Sequence, residues 1–233
     1  IFTMIANFPI AFVTSSIFAV HPLQSEAVTW ISGGPYSQYS FFLLLSFLLY
    51  VISERKKSVR IYLVSLVAFL LSLISTEKGA VFPLILLIFE FSYGNIKNTW
   101  KKTLPFFILS ITRFLLFLFG GSISGRVSTL QSGYYQEPGY ENPFIQVPVA
   151  ISSYLKLIFV PTGLTIYHSE EMFVPTPIYI IRLMVLLMFI SALIFSLKKD
   201  KIIFFWLSFF FISLWPVLTP LRISWVVAER YVY

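Results

Sequence analysis

The sequence predicts an all-α fold, a polytopic transmembrane helix bundle of about seven spans with one further interfacial or re-entrant helix. Three observations carry this. The chain is 58% hydrophobic with a mean hydropathy of +0.84. Its apolar runs approach the roughly 20 residues that a ~30 Å hydrocarbon core demands of a helix, and helices satisfy their own backbone polar groups in lipid. Finally, each run ends in a short polar cluster, and the clusters are of two kinds: Arg55-Lys56-Lys57 with Arg60, Lys97 with Lys101-Lys102, and Lys198-Lys199 with Lys201 are basic, whereas the clusters around Glu26, Glu77 and Glu229 carry glutamate.

Residues 1–20 read as the first span, stopped by His21-Pro22, because the residue before a proline is pushed out of helical geometry. Residues 23–37 read as an amphipathic segment with a Gly33-Gly34-Pro35 breaker. Spans follow at 39–53, 60–75 and 80–93, the last short and containing Pro83 and Glu90, and a fifth at 103–120. Residues 121–146 are a polar loop without lysine, long enough to suggest a functional loop or lid. Residues 147–163, with Pro148, Lys156, Pro161 and Gly163, make a weak span. If they crossed, the Lys198–Lys201 cluster would land outside, against the excess of Lys and Arg on cytoplasmic loops. We therefore expect them to lie at the interface or re-enter. Residues 176–196 then run inward and 202–219 outward, and the glutamate clusters collect on the non-cytoplasmic face.

Net charge is +7, but ten of the 17 Lys and Arg lie in the three basic clusters, so topology and anionic lipid explain the balance better than nucleic acid does. With no Cys and only His21 and His168, thiol chemistry, disulfides and a His-rich metal site are not expected. No metal ligand set and no cofactor is evident, and a divalent metal is left open. The chain lacks Met at Ile1 and stops just after a Glu-Arg-Tyr motif, which we read as one membrane unit, 1–233, internal to a longer protein.

Charged groups collected at one membrane face are a site by default. His21 and Glu26 sit at the first boundary, where such a pair relays a proton or holds a polar ligand; the plainer reading is an interfacial His beside a solvated Glu. Glu77 and Lys78 pair with each other, with a ligand phosphate or with water, and neighbours on a helix face apart. Arg230, with Arg222 upstream, offers the planar fork that suits phosphate and carboxylate, or an aromatic-belt anchor beside Glu229. Arg113 lies inside the fifth span, where charge costs about 2.5 kcal/mol or more, and needs Glu90 or a rim glutamate as partner. Lys156 and Arg182 bind an anion or snorkel. Glu170-Glu171 after His168 read as solvated carboxylates.

His21-Pro22-x-x-x-Glu26-Ala27-Val28-x-Trp30-Ile31-x-Gly33, then Glu77-Lys78-Gly79, then Glu141-Asn142-Pro143-Phe144 with Tyr154-Leu155-x-Leu157 and Pro161-x-x-Leu164-Thr165, and last Ala228-Glu229-Arg230-Tyr231-Val232-Tyr233 run in order over nearly the whole chain. In order and approximate spacing they resemble the membrane region of the transmembrane and tetratricopeptide repeat O-mannosyltransferases and their bacterial relatives. The resemblance implies a GT-C fold. It also implies transfer of a sugar, such as mannose, from a polyprenyl-phosphate donor, with inversion, to an acceptor hydroxyl of a protein or peptide at the non-cytoplasmic face. The membrane would be the bacterial inner membrane, or the endoplasmic reticulum membrane in a eukaryote. On this resemblance Lys78, Arg222 and Arg230 bind the donor phosphate, Glu77 and Glu229 orient those cations or the sugar, and His21 and Glu26 shape the acceptor side or help move protons. The catalytic carboxylate belongs to a loop preceding Ile1, and tetratricopeptide repeats follow the chain. Where relatives carry Gly-Arg, this chain has Gly33-Gly34-Pro35-Tyr36. A non-catalytic membrane scaffold with partners in a complex, and a lipid-linked sugar transporter, are the alternatives; the transporter predicts polar residues at mid-membrane, where Arg113 stands nearly alone.

Overall fold

The computed structural model describes residues 7–94, 96–120, 142–165, 168, 176–218 and 226–232. These residues are helical or in turns. Among the described residues nine α-helices follow in order: α1 Phe8–Val20, α2 Ser25–Thr29, α3 Gly34–Lys56, α4 Val59–Ser75, α5 Phe82–Ser92, α6 Ile96–Phe119, α7 Pro143–Phe159, α8 Thr176–Lys199 and α9 Lys201–Leu214, with 3₁₀ turns at Pro22–Gln24, Ile31–Gly33, Glu77–Val81, Trp215–Val217 and Glu229–Tyr231. Three helical stretches, Ile31–Lys56, Thr99–Phe119 and Thr176–Lys199, are long and apolar enough to cross a membrane. The other expected spans are shorter apolar helices; α5, at 11 residues, is about 16 Å long at 1.5 Å per residue.

Local chemistry sets the helix ends. The side chains of Asn7, Asn142 and Asp200 accept first-turn N–H groups at the starts of α1, α7 and α9, satisfying donors that a helix start otherwise orphans. Gly33-Gly34-Pro35, expected as a breaker, instead begins α3: Pro35 stands in the first turn, where its missing N–H costs nothing and its fixed φ suits the helix. Lys57, at φ 53°, reverses the chain in two residues between α3 and α4.

Serines knit the α3–α4 hairpin. Ser46 and Ser65 each donate to the other's backbone carbonyl at 2.9 Å, and Ser72 donates to the Tyr39 carbonyl at 3.0 Å. Lipid supplies no hydrophobic drive between helices, so small residues that let backbones approach, and hydroxyls that bond across them, take that role. One apolar core lies among α3, α4, α5, α6 and α9, around Phe69, Phe82, Phe106 and Phe205. A second lies among α7, α8, the end of α9 and residues 226–231, around Tyr154, Ile151, Leu214 and Val227. Helix α9 borders both.

The contacts sort the charges to two ends. Lys102 binds Glu54 at 2.6 Å, Lys57 lies 3.8 Å from Glu54, and Lys201 stacks on Phe91 with its nitrogen 4.9 Å from the ring centre, so the three basic clusters share one end. The segments around Glu26, Glu77 and Glu229 meet at the other.

Candidate functional site

The glutamate end is assembled from four segments far apart in sequence. His21 leaves α1 in extended geometry ahead of Pro22. Its Nδ1 accepts the Leu23 N–H at 3.3 Å and its Nε2 lies 3.0 Å from the Ile158 carbonyl. The tautomer that satisfies both carries its hydrogen on Nε2. His21 thus fastens the end of α1 to the end of α7 and aims the chain into α2, which carries Glu26.

Glu26 is buried and holds Arg230 twice. One oxygen accepts the Arg230 backbone N–H at 2.9 Å and the other accepts Nη1 at 2.5 Å. The guanidinium carbon lies 5.2 Å from the centre of the Trp30 ring and 5.0 Å from that of Tyr231. Burial works against the charge of Arg230, but Tyr231 and Glu26 outweigh it and hold the guanidinium's proton affinity above its ordinary value.

Lys78 enters from the 3₁₀ turn Glu77–Val81 between α4 and α5. Its nitrogen lies 3.0 Å from the centre of the Tyr231 ring and 4.8 Å from that of Tyr36, and these two rings are 6.0 Å apart. Thr76 caps the turn that presents Lys78. Gly79 lets that turn approach α4, since a Cβ there would sit 2.9 Å from the Ser72 Oγ. Two cations therefore converge on one tyrosine, whose π face attracts both.

Glu229, next to Arg230 in sequence, faces elsewhere. Its Oε1 accepts the Thr165 N–H at 2.6 Å and lies 3.5 Å from His168 Nε2. Burial holds its carboxyl above the usual range, with Thr165 and His168 acting against the rise and Glu26 adding to it. Tyr154 positions this turn from below: its hydroxyl accepts the Ala228 N–H at 3.1 Å and donates toward the Val226 carbonyl at 3.2 Å.

The expected site residues divide accordingly. His21, Glu26, Lys78, Glu229 and Arg230 come together. Glu77 turns toward Arg113, 4.0 Å away, while Arg113 Nε donates to the Leu73 carbonyl at 3.0 Å; of the glutamates weighed as partners of this cation within α6, it is Glu77 and not Glu90 that stands at ion-pair distance. Glu90 lies toward the lysine end, accepting from Tyr50 at 2.9 Å and Thr99 at 2.6 Å. Arg182 donates to Ser153 at 2.7 Å and ties α8 to α7, and Lys156 is exposed. Arg222, Glu170, Glu171 and loop residues 121–141 lie outside the described residues. Among the described residues no three His, Asp or Glu gather to hold a metal.

The aromatic frame of Trp30, Tyr36 and Tyr231 was missed in sequence, as was the role of His168. The placing of Trp30 and Tyr36 on either side of a helix start and of Tyr231 directly after Arg230 was a signal, because aromatic rings beside cations form cation–π contacts when desolvated. Nothing in the spacing joined His168 to Glu229. Compared with protein-family models, curated proteins and solved structures, the chain matches none.

Proposed function

We propose that this chain is the membrane-embedded part of a GT-C glycosyltransferase, which moves a hexose such as mannose from a polyprenyl phosphate to an acceptor hydroxyl of a protein or peptide at the non-cytoplasmic face. The observation that carries the reading is the convergence of Lys78 and Arg230 on Tyr231, at the end of the bundle opposite the three basic clusters. A phosphate leaving group gathers charge as its bond to the sugar breaks, and preorganised cations in a water-poor site stabilise that charge. The exposed apolar faces of the helices suit a lipid tail. With the basic end cytoplasmic, the Lys78–Arg230 site faces outward.

The contacts of α7 support this orientation. Its start meets α8 through Tyr179, which donates to the Phe144 carbonyl at 2.8 Å. Its end meets the glutamate end through His21 at Ile158. A helix whose two ends both touch elements of the outward end lies along that face or re-enters.

A second reading, a non-catalytic scaffold of the same architecture, is favoured by one contact: Glu26 occupies both the backbone N–H and Nη1 of Arg230, as a structural pair would.

The test is transfer of tritiated mannose from undecaprenyl phosphate and from dolichyl phosphate to a Ser/Thr-rich peptide, by the intact protein in native membranes. Lys78→Met is the informative variant, because Arg230→Ala would strand Glu26. Loss of transfer with normal expression supports the enzyme. Absence of transfer by the wild type from either donor overturns it in favour of the scaffold.

A further inference from the structure

Arg113 carries a charge into the membrane-crossing part of the bundle. It stands in α6, which is long and apolar enough to cross a membrane, about 9 Å short of the helix end at Phe119. Its side chain is 29% exposed. Leu116, one turn further on, is 64% exposed whereas Phe117 is buried, so Arg113 sits at the edge of the lipid-facing surface. Leu70 and Ile74, on either side of Leu73 in α4, are exposed as well. An arginine this near the outward end can reach up to water along its own stem. Arg113 instead turns sideways, donating from Nε to the Leu73 carbonyl at 3.0 Å. Glu77 faces it at 4.0 Å, longer than a hydrogen bond. Two other ion pairs of the bundle are closed: Lys102 meets Glu54 at 2.6 Å, and Glu26 takes Arg230 through two hydrogen bonds. The Arg113–Glu77 pair is open, partly exposed and set against lipid. A charge in such surroundings is a site by default, and the planar fork of arginine suits phosphate oxygens. Lys78 directly follows Glu77, and both ride on the turn Glu77–Val81, so one turn joins this edge to the Lys78 site.

We propose that Arg113 is the point at which a lipid-borne phosphate enters from the bilayer: its guanidinium takes a phosphate oxygen at the lipid-facing edge of α4 and α6, in place of Glu77 and beside the turn that carries Lys78. The proposal deepens the glycosyltransferase reading and rests on it for the identity of the lipid, a polyprenyl phosphate. Glu77 balances the charge of Arg113 until a phosphate arrives, and as an anion it also competes with that phosphate. Like charges a few ångströms apart repel strongly where little water screens them, so removing the carboxylate strengthens the hold on the lipid, whereas removing the guanidinium weakens it. The two members of one ion pair thus act with opposite sign, which a pair kept only for stability does not do.

The experiment measures equilibrium binding of radiolabelled undecaprenyl phosphate and dolichyl phosphate to the intact protein in phosphatidylcholine nanodiscs, with phosphatidylglycerol and inorganic phosphate as competitors. Transfer from the mannosylated donors and thermal unfolding are read on the same samples. The variants are Arg113→Gln, which keeps a donor for the Leu73 carbonyl, Arg113→Lys and Glu77→Gln; where Arg113→Gln does not elute like the wild type, Arg113→Lys carries the comparison. The expected result is binding about 10-fold weaker in Arg113→Gln, as for loss of one charged hydrogen bond, an intermediate loss in Arg113→Lys, tighter binding in Glu77→Gln, and no displacement by either competitor at equal concentration. Unchanged binding in Arg113→Gln with transfer intact overturns the proposal and leaves the glycosyltransferase reading standing. Weaker binding in Glu77→Gln overturns it too, as does lower thermal stability in both variants with binding unchanged, which makes the pair structural. Equal displacement by phosphatidylglycerol or by inorganic phosphate overturns it in favour of a general anion site. Binding that depends on Arg113, without transfer by the wild type from either donor, overturns the glycosyltransferase reading and leaves the lipid-phosphate site. A wild type that binds neither lipid overturns both.

Discussion

Glu26 and Arg230 stand 204 residues apart in the chain and are joined by two hydrogen bonds, at 2.9 and 2.5 Å, in a setting where both side chains are nearly buried. This pair closes the bundle, bringing its last described turn to the short helix that follows α1. Removing one member leaves a buried charge without its partner, which costs about 3–5 kcal/mol. Glu26→Ala is expected to lower the unfolding midpoint in detergent sharply, and the double variant Glu26→Leu/Arg230→Met to recover most of the loss. A double variant no more stable than the single one would show that the pair is not the closure.

Lys78→Met keeps the length and apolar stem of the side chain and removes its charge from Tyr231. Thermal stability should change little compared with Glu26→Ala. Sugar transfer should fall by about 100-fold, as for loss of one preorganised stabilising group, and Lys78→Arg should retain more activity than Lys78→Met. Radiolabel transfer to peptide measures this directly.

Stability should depend on pH through Glu229. Its carboxyl is raised from the ordinary 4.5, chiefly by burial, so the folded chain holds this proton at pH values where the unfolded chain has released it. The contribution is fully present below 4.5 and is lost as pH rises through the raised folded value. Unfolding midpoints of wild type and Glu229→Gln across this window check the sign. The variant should show a shallower decline as pH increases.

At the other end, the buried Glu90 relies on the hydroxyls of Tyr50 and Thr99. Tyr50→Phe withdraws one donor and should cost about 1–3 kcal/mol, the desolvation penalty of a buried acceptor left short. Gly94→Ala should also destabilise, because its Cβ would fall 2.2 Å from the Glu90 carboxylate. Denaturation in detergent reads both. A Gly94→Ala chain as stable as wild type would mean that Glu90 can swing aside.

The placement of α7 is testable because the chain has no cysteine. Single cysteines at Phe144 and Phe159, both largely exposed, should be labelled by a membrane-impermeant thiol reagent from the same side in intact cells, and a cysteine at Lys57 from the opposite side. Labelling of Phe144→Cys and Phe159→Cys from opposite sides would make α7 a crossing helix.

Much of the architecture was legible in the apolar runs. The ends of α4, α5 and α8 fall within a few residues of the expected spans, because a helix in lipid must be continuous in hydrogen bonding and apolar outside, and both conditions leave a local record. The grouping of Arg55–Arg60, Lys97–Lys102 and Lys198–Lys201 was legible for the same reason: topology follows the local excess of Lys and Arg. The Gly33-Gly34-Pro35 stretch misled, since proline breaks a helix in its interior and starts one at its first turn, and composition alone does not say which.

Partnerships were a different matter. That glutamates and cations share one end followed from their positions at the ends of apolar runs. That Arg230 takes Glu26, Glu229 takes His168, and Arg113 takes Glu77 did not, because each pairing depends on which helices pack together and how far each is rotated. These ion pairs and cation–π contacts join residues far apart in sequence, and each needs its two groups within roughly 4–6 Å, so a shift of a few ångströms changes the partner, and no pattern along the chain encodes that distance. The hydrophobic and charge patterns therefore determined the helices and the end to which each charge goes, and the packing of α2 and the 229–231 turn against Tyr36 and Lys78 selected which charges meet.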